Sequence, residues 1–203
     1  MPERKPRKDA ARNRAAVLAA ADDLFANRDS AEEVTMADIA AAAGVGKGTL
    51  FRAFGDRVGL IRALYQARLE PLAEAVESGP PPLGPGAPPR RRLPAVLDAL
   101  LCFKLDNRQL ALALEGAGSG SPYQAGHYEQ WHTLLRTVLK GVPGFTDGGS
   151  DAGSGADADF AAHALLAATR ADLVEHLAGQ EGATREELRA QLAVFAARVL
   201  GGV

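Results

Sequence analysis

Apolar residues recur at helical spacing along almost the whole chain, and no stretch alternates polar and apolar residues as a half-buried strand does. In the first such run Val17, Ala21, Leu24 and Phe25 lie on one face of a helix. We therefore expect an all-α protein of about nine helices.

Local start and stop signals place several helix ends. Thr35 with Asp38, and Thr184 with Glu187, have the spacing of capping boxes, in which each side chain bonds the other residue's backbone N–H. Gly201 follows the last apolar turn, where a left-handed residue commonly ends a helix.

Two segments rich in Pro and Gly read as breaks, at 78–94 and 141–157. The next helix after the first break is expected to begin at Pro94, because proline suits the first helical position. Between and after the breaks we expect one helix over 121–141 and one unbroken helix over 160–177.

Composition limits the class of protein. The chain has 203 residues, 47% of them hydrophobic, and a single cysteine, so a packed core is expected but neither an internal disulfide nor a multi-cysteine metal site. We find no run of ~18 apolar residues and no signal-peptide core, and so expect no membrane association and a cytoplasmic location.

Residues 1–11 are expected to be a basic flexible arm able to approach a polyanion, although a solvated, frayed terminus would look the same.

Four glycines interrupt residues 44–55, which read GVGKGTLFRAFG. A helix ends before Gly44, and a second short helix follows it. Two short helices joined by a Gly-containing turn are typical of a helix-turn-helix, whose second helix enters the DNA major groove. Small residues at Gly46 and Gly48 would let the backbone approach DNA closely. An ordinary helical hairpin without a DNA role has the same spacing.

Residues 12–64 resemble the N-terminal domain of the TetR family of transcriptional regulators, with actinobacterial-type members the most similar. The resemblance rests on the segments VLAAADDLF, VTMADIAAAAGV, GTLFRAF and GDRVGLI. It implies a three-helix DNA-binding domain over 12–56 and a larger ligand-binding and dimerisation domain over 57–203.

The resemblance also implies which residues meet DNA. Thr35 would touch a phosphate, Thr49 would face the groove, and Arg57 would make a phosphate contact where the family usually has Lys. Lys47 and Arg52 can contact guanine edges or phosphates. The full predicted set is Thr35, Gly46, Lys47, Thr49, Phe51, Arg52 and Arg57. At two of these positions the chain departs from the family, with Gly46 in place of Ser and Phe51 in place of Tyr, and both changes remove a hydroxyl.

The rest of the chain suggests an effector pocket and a dimer surface. Family analogy implies a homodimer through the last two helices, although their apolar stripes could instead face their own core. Candidate residues for a pocket that takes a mostly apolar small molecule are Phe103, Leu110, Leu114, Tyr123, His127, Trp131 and Leu166. Ordinary core packing is the alternative for each of them.

Metal binding and catalysis find little support in the sequence. His127 and His132 are about 140° apart on a helix and cannot share an ion. For these two, as for His163 and His176, we expect no carboxylate–His pair at the i, i+4 spacing of a helical metal site. The segment GVGKGT lacks the spacing of a phosphate loop, and Cys102 lies in an apolar run typical of a buried thiol. We expect no metal, no cofactor and no enzymatic activity.

The leading interpretation is a homodimeric repressor that binds a palindromic double-stranded DNA operator and is released by a small molecule. The alternative is a helical small-molecule-binding or scaffold protein without DNA binding.

Overall fold

The computed structural model describes residues 4–27, 33–116, 126–146 and 156–201. Within these ranges it contains ten α-helices, a short π-helix and one pair of two-residue strands, so the all-α prediction is confirmed. None of the described helices combines the length and the apolar character needed to cross a lipid bilayer.

The ten α-helices of the described residues are numbered in chain order. Their bounds are α1 Arg4–Ala26, α2 Met36–Ala42, α3 Lys47–Phe54, α4 Arg57–Ser78, α5 Pro89–Asp106, α6 Arg108–Gly116, α7 Gly126–Lys140, α8 Ala158–Ala167, α9 Ala171–Val174 and α10 Arg185–Val199. The π-helix spans Glu175–Gln180, and strands β1 Phe145–Thr146 and β2 Ala156–Asp157 pair in parallel.

The chain divides into two compact units. The smaller comprises Met1–Leu69 with Gln109–Ala117, and the larger comprises Glu70–Arg108 with Gly118–Val203. The smaller unit has its own apolar core, in which Val17, Ile39, Leu50, Leu60 and Ile61 are almost completely buried. The predicted domain boundary between residues 56 and 57 stays a prediction.

The larger unit has a separate core. Its largest fully buried side chains come from α5, α7 and α8, and are Leu93, Leu97, Leu135, Leu139 and Leu165. Helices α7 and α8 pack against each other, as do α5 and α10. Burial of one apolar stripe per helix therefore organises this unit.

Both predicted capping boxes are present. The backbone N–H of Thr35 donates to Oδ2 of Asp38 at 3.1 Å, and the Asp38 N–H donates to the Thr35 hydroxyl at 3.2 Å. Thr184 and Glu187 repeat this exchange at the start of α10. Each pair satisfies backbone donors that the first turn of a helix leaves without an intrahelical partner.

Three expectations about helix limits are wrong. Helix α5 begins at Pro89, not Pro94, because Pro89 already occupies the first helical position, where a missing N–H costs nothing. The residues predicted to be one loop, 141–157, include the short strand pair. The predicted basic arm is helical from Arg4 onwards, since α1 extends back through it.

A fourth expectation, one unbroken helix over 160–177, is also wrong. The helix stops at Ala167, and Arg170 adopts an extended conformation before α9 begins. The Arg170 guanidinium donates two hydrogen bonds to the Asp172 carboxylate, which hold the pKa of Asp172 below its usual value. The buried Thr169 hydroxyl donates to the carbonyl of Leu166 at 3.0 Å. These local bonds stabilise the break between α8 and α9, where the sequence has no Gly or Pro that would predict it.

Helix α7 begins, in the part of the chain that the structure describes, at Gly126. The start predicted at residue 121 lies outside the described residues.

Candidate nucleic-acid interface

The turn between α2 and α3 has the geometry that a helix-turn-helix needs. The N–H groups of Ala43, Gly44 and Val45 donate to the last carbonyls of α2, at 2.9–3.2 Å. Gly44 has φ +64°, in the left-handed region that only glycine enters without strain. The glycine-rich stretch therefore ends one helix sharply and redirects the chain into the next.

Helix α3 is held by one face and presents the other to solvent. Leu50 is completely buried and Phe54 is 9% exposed, so these two residues anchor the helix in the smaller unit. The other face carries the exposed residues Lys47, Gly48, Thr49, Phe51 and Arg52. Phe51 is 47% exposed, which is unusual for so large an apolar side chain and leaves it available for stacking or packing.

The N-terminus of α3 has no side-chain cap. Gly46 occupies the N-cap position in an extended conformation, and it has no side chain that could satisfy the first N–H groups of the helix. No Cβ built on Gly46 or Gly48 would meet another atom within 4 Å, so the protein surface is open there. Backbone N–H groups at such an end favour phosphate oxygens.

Two predicted phosphate-contacting residues already have partners within the chain. Thr35 donates its hydroxyl to Asp38 Oδ2 at 2.6 Å, in addition to its backbone bond to the same carboxylate. Arg57 Nε donates to the Val34 carbonyl at 3.2 Å. A phosphate contact by Thr35 would have to replace one of these bonds, so both assignments stay predictions.

The predicted pocket residues are spread over both units. Phe103, Trp131 and Leu166 are buried in the larger unit, and Leu110 is buried in the smaller one, where Leu114 is half-buried. Tyr123 and the side chain of His127 lie outside the described residues. Burial is common to a core residue and to a pocket wall, so the pocket stays a prediction.

Helices α8 to α10 leave large apolar side chains uncovered. Phe160 is 73% exposed, Val194 is 52% exposed and Phe195 is 38% exposed, and Leu173 on α9 is also exposed. Helix α10 is apolar on two sides, since Leu188, Leu192 and Ala196 are buried against their own unit. The stripe thus faces its own core in part, and the homodimer through the last two helices stays a prediction.

A cluster that the sequence analysis missed lies between α7 and α8. Nε2 of His132 and Nε2 of His163 both approach the carboxylate of Asp159, at 3.5 and 3.7 Å. Asp159 and His163 are a carboxylate–His pair at i, i+4 spacing, so the expectation that no such pair occurs is wrong. That spacing was visible in the sequence, whereas the approach of His132 depends on the packing of two helices.

Comparison with known proteins agrees with the geometry of the smaller unit. Residues 17–64 match the family model described as bacterial regulatory proteins, tetR family. The matched segment is about a quarter of the chain and runs from α1 into α4. No curated protein sequence is significantly similar to this chain.

Solved structures share the fold over nearly the whole length. A TetR-like transcriptional regulator from Rhodococcus sp. RHA1 is 24% identical, with a TM-score of 0.56 over 94% of this chain and 97% of its own. FadR from Bacillus subtilis, solved in complex with stearoyl-CoA, is 15% identical, with a TM-score of 0.61 over 93% and 98%. NalD, the secondary repressor of the MexAB-OprM multidrug efflux pump in Pseudomonas aeruginosa, is 20% identical, with a TM-score of 0.59 over 94% and 96%.

The helix-turn-helix of α2 and α3, its match to the family model and the fold of the whole chain agree with one another. Residues 17–64 therefore match the tetR family of bacterial regulatory proteins, and the whole chain shares the fold of solved TetR-like regulators.

Proposed function

We propose that this protein is a ligand-responsive transcriptional repressor that binds a palindromic DNA operator as a homodimer and is released by a small molecule. The observation that carries the proposal is the exposed face of α3. Lys47, Thr49 and Arg52 are exposed to solvent there, while Leu50 and Phe54 on the opposite face are buried and anchor the helix. A recognition helix needs one face that is packed against its own domain and an exposed face that is polar and positively charged.

Charge on that face gives the first part of the affinity. Lys47 and Arg52 each supply a cation that can neutralise a phosphate or contact a guanine edge. Phe51 adds an apolar surface in place of a hydroxyl. One motif with few such contacts binds weakly at cellular salt, so a second copy is needed to reach an operator-specific affinity.

The uncovered apolar side chains on α8 and α10 support a homodimer. Phe160 and Phe195 leave apolar surface open to solvent, and burying such surface is favourable by ~25 cal/mol per Å². A second copy presents the same surface, as a two-fold interface requires. Two copies then offer two recognition helices, which suits a palindromic operator.

The effector-binding step is supported by the apolar interior of the larger unit and by the fold it shares with FadR, whose structure contains stearoyl-CoA. NalD, which has the same fold, is named as a repressor. Trp131 is the single tryptophan of the chain, so its fluorescence reports binding near α7 without labelling. Acyl-CoA of graded chain length is a suitable first set of probes for that measurement.

The proposal is tested by DNA binding of the full chain. The duplex is the region upstream of its own gene, compared with a duplex of shuffled sequence across a salt series. We expect tighter, salt-sensitive binding to the first duplex, weakened in the Lys47→Ala and Arg52→Ala variants, each of which should reduce the salt slope by about one.

The control is Arg91→Ala, which removes an exposed cation from the larger unit and leaves α3 intact. Its affinity for the upstream duplex should equal that of the wild type. Equal binding of both duplexes, or wild-type affinity in both α3 variants, would favour a helical small-molecule-binding protein without DNA binding.

A further inference from the structure

Helices α7 and α8 bring three metal-ligating side chains together. His132 projects from α7, and Asp159 and His163 project from consecutive turns of α8. One candidate ligand atom from each residue lies within 4.8 Å of the other two. The imidazole rings of His132 and His163 are stacked, with centroids 3.9 Å apart and planes 20° apart, so both rings lie side by side next to one carboxylate.

The distances match the edges of a metal coordination sphere. Bonds of 2.0–2.2 Å in a tetrahedral zinc site place neighbouring ligand atoms about 3.4 Å apart. The distance from His132 Nε2 to Asp159 Oδ1 is 3.5 Å, and the distance from His163 Nε2 to the other carboxylate oxygen, Oδ2, is 3.7 Å.

Tyr128 contacts His163 at the ring nitrogen opposite the proposed ligand atom. Its hydroxyl lies 2.6 Å from Nδ1 of His163, the ring nitrogen that does not face Asp159. When Nδ1 donates its proton to the Tyr128 oxygen, Nε2 keeps its lone pair for a metal. This is the arrangement by which outer-shell partners fix the tautomer of a metal-binding histidine.

The surroundings allow a cation to enter and moderate its affinity. The His132 side chain is 13% exposed, whereas Asp159 and His163 are each more than two-fifths exposed and give access from solvent. Arg136 Nε lies 3.5 Å from Oδ1 of Asp159, the same oxygen that faces His132. Its positive charge opposes a second cation beside Asp159 and should lower the affinity of the site.

We propose that His132, Asp159 and His163 form a binding site for one divalent transition-metal ion of the zinc type. Two imidazoles and one carboxylate are ligands suited to Zn²⁺ or Co²⁺, and solvent would complete the tetrahedron. The ion would join α7 to α8. This site is independent of the proposed binding to DNA, because none of its residues belongs to α2 or α3.

The test is a titration of the untagged, metal-free full chain with Zn²⁺ followed by calorimetry, and with Co²⁺ followed by visible absorption. We expect one ion per chain and the absorption of a tetrahedral cobalt site. The variants Asp159→Asn and His163→Gln should each lose at least about tenfold in affinity, and Tyr128→Phe about tenfold, since loss of an outer-shell partner has effects of this size.

Two further variants separate ligation from a structural role. His176→Gln removes a histidine that bonds Gln180 on the π-helix and should leave zinc affinity unchanged. Arg136→Gln keeps all three ligands and removes the opposing charge, so it should bind zinc several-fold more tightly. Absence of zinc binding by the wild type overturns the proposal. Wild-type affinity in both Asp159→Asn and His163→Gln also overturns it.

Discussion

The guanidinium of Arg14 on α1 lies over the ring of Phe54 on α3, with the guanidinium carbon 4.6 Å from the ring centroid. Its Nη1 also donates to the carbonyl of Ala53 at 3.3 Å. Both contacts are at the C-terminal end of α3, where a helix attracts positive charge. One arginine of the first helix thus fixes the anchored end of the candidate recognition helix.

Replacing Arg14 with alanine should lower the free energy of unfolding by about 0.5–1 kcal/mol, the usual strength of an exposed cation–π contact. Denaturant unfolding of the full chain measures it. Arg12→Ala is the matched control, because Arg12 pairs with Asp9 on the surface of the same helix. Equal losses in the two variants would show that the contact with Phe54 adds no stability.

Alanine at Gly44 should destabilise the fold by about 1–2 kcal/mol, because its φ of +64° is costly for a residue with a Cβ. Space is not the cause, since a Cβ at this position would meet no atom within 4 Å. Thermal or denaturant unfolding measures the loss. Gly44→Asn should retain more stability than Gly44→Ala, because asparagine tolerates the left-handed region better.

Alanine at Gly48 should have opposite effects on stability and on DNA binding. Gly48 lies inside α3 with open space around its Cα, so alanine should stabilise the helix by about 0.5–1 kcal/mol. The new methyl group would stand on the face proposed to approach DNA and should weaken operator binding. Unfolding and DNA titration of the same sample measure both effects, and unchanged affinity would contradict a close approach at Gly48.

The parts of the fold that the sequence predicts are those fixed by neighbouring residues. The capping boxes at Thr35 and Thr184, and the left-handed turn at Gly44, depend on contacts within a few residues, and the structure has all three. The helix-turn-helix is assembled from such local signals. Its anchor residues, Leu50 and Phe54, follow from helical spacing alone.

The parts of the fold that the sequence did not predict depend on contacts between side chains. Helix propensity and apolar spacing do not specify the geometry of those contacts. The break before α9 follows from Arg170 turning back onto Asp172, and both residues suit a helix surface equally well. The position of His132 beside His163 depends on the register of α7 on α8, because the two residues are far apart in the sequence. Neither apolar periodicity nor helix propensity predicts how α7 and α8 align.

The charge of Glu187 should contribute to stability at neutral pH. The Thr184 backbone N–H, and then its hydroxyl, donate to the Glu187 carboxylate and lower its pKa below the ordinary 4.5. A lowered pKa in the folded state means that this stability is complete above pH 4.5 and is lost as the pH falls through the folded value. The Glu187→Gln variant should therefore be less stable than the wild type at pH 7.

Urea unfolding at pH 7 and at pH values below 4.5 measures the difference between Glu187→Gln and the wild type, which should shrink in acid. The neighbouring Glu186→Gln variant is the control, because Glu186 is exposed and does not cap α10. A difference that is constant across the pH range would show that the carboxylate charge does not contribute.

A charge on the outer side of α10 should separate the proposed dimer. Phe195→Glu places a carboxylate among exposed apolar residues and should shift the full chain to a monomer in analytical ultracentrifugation, with weaker operator binding. Ala193→Glu adds the same charge at an exposed position on the opposite side of the helix and should leave the dimer intact. A Phe195→Glu variant that sediments like the wild type would contradict this interface.

Helix α10 is apolar on two sides, and its own protomer covers only one of them. If a second copy covers the other, the amount of paired protein at low abundance rises with the square of the copy number. Doubling expression in that regime would then raise the paired form about fourfold. The cell could adjust gene control through synthesis of the protein alone, with a sharper threshold than a single-chain regulator would give.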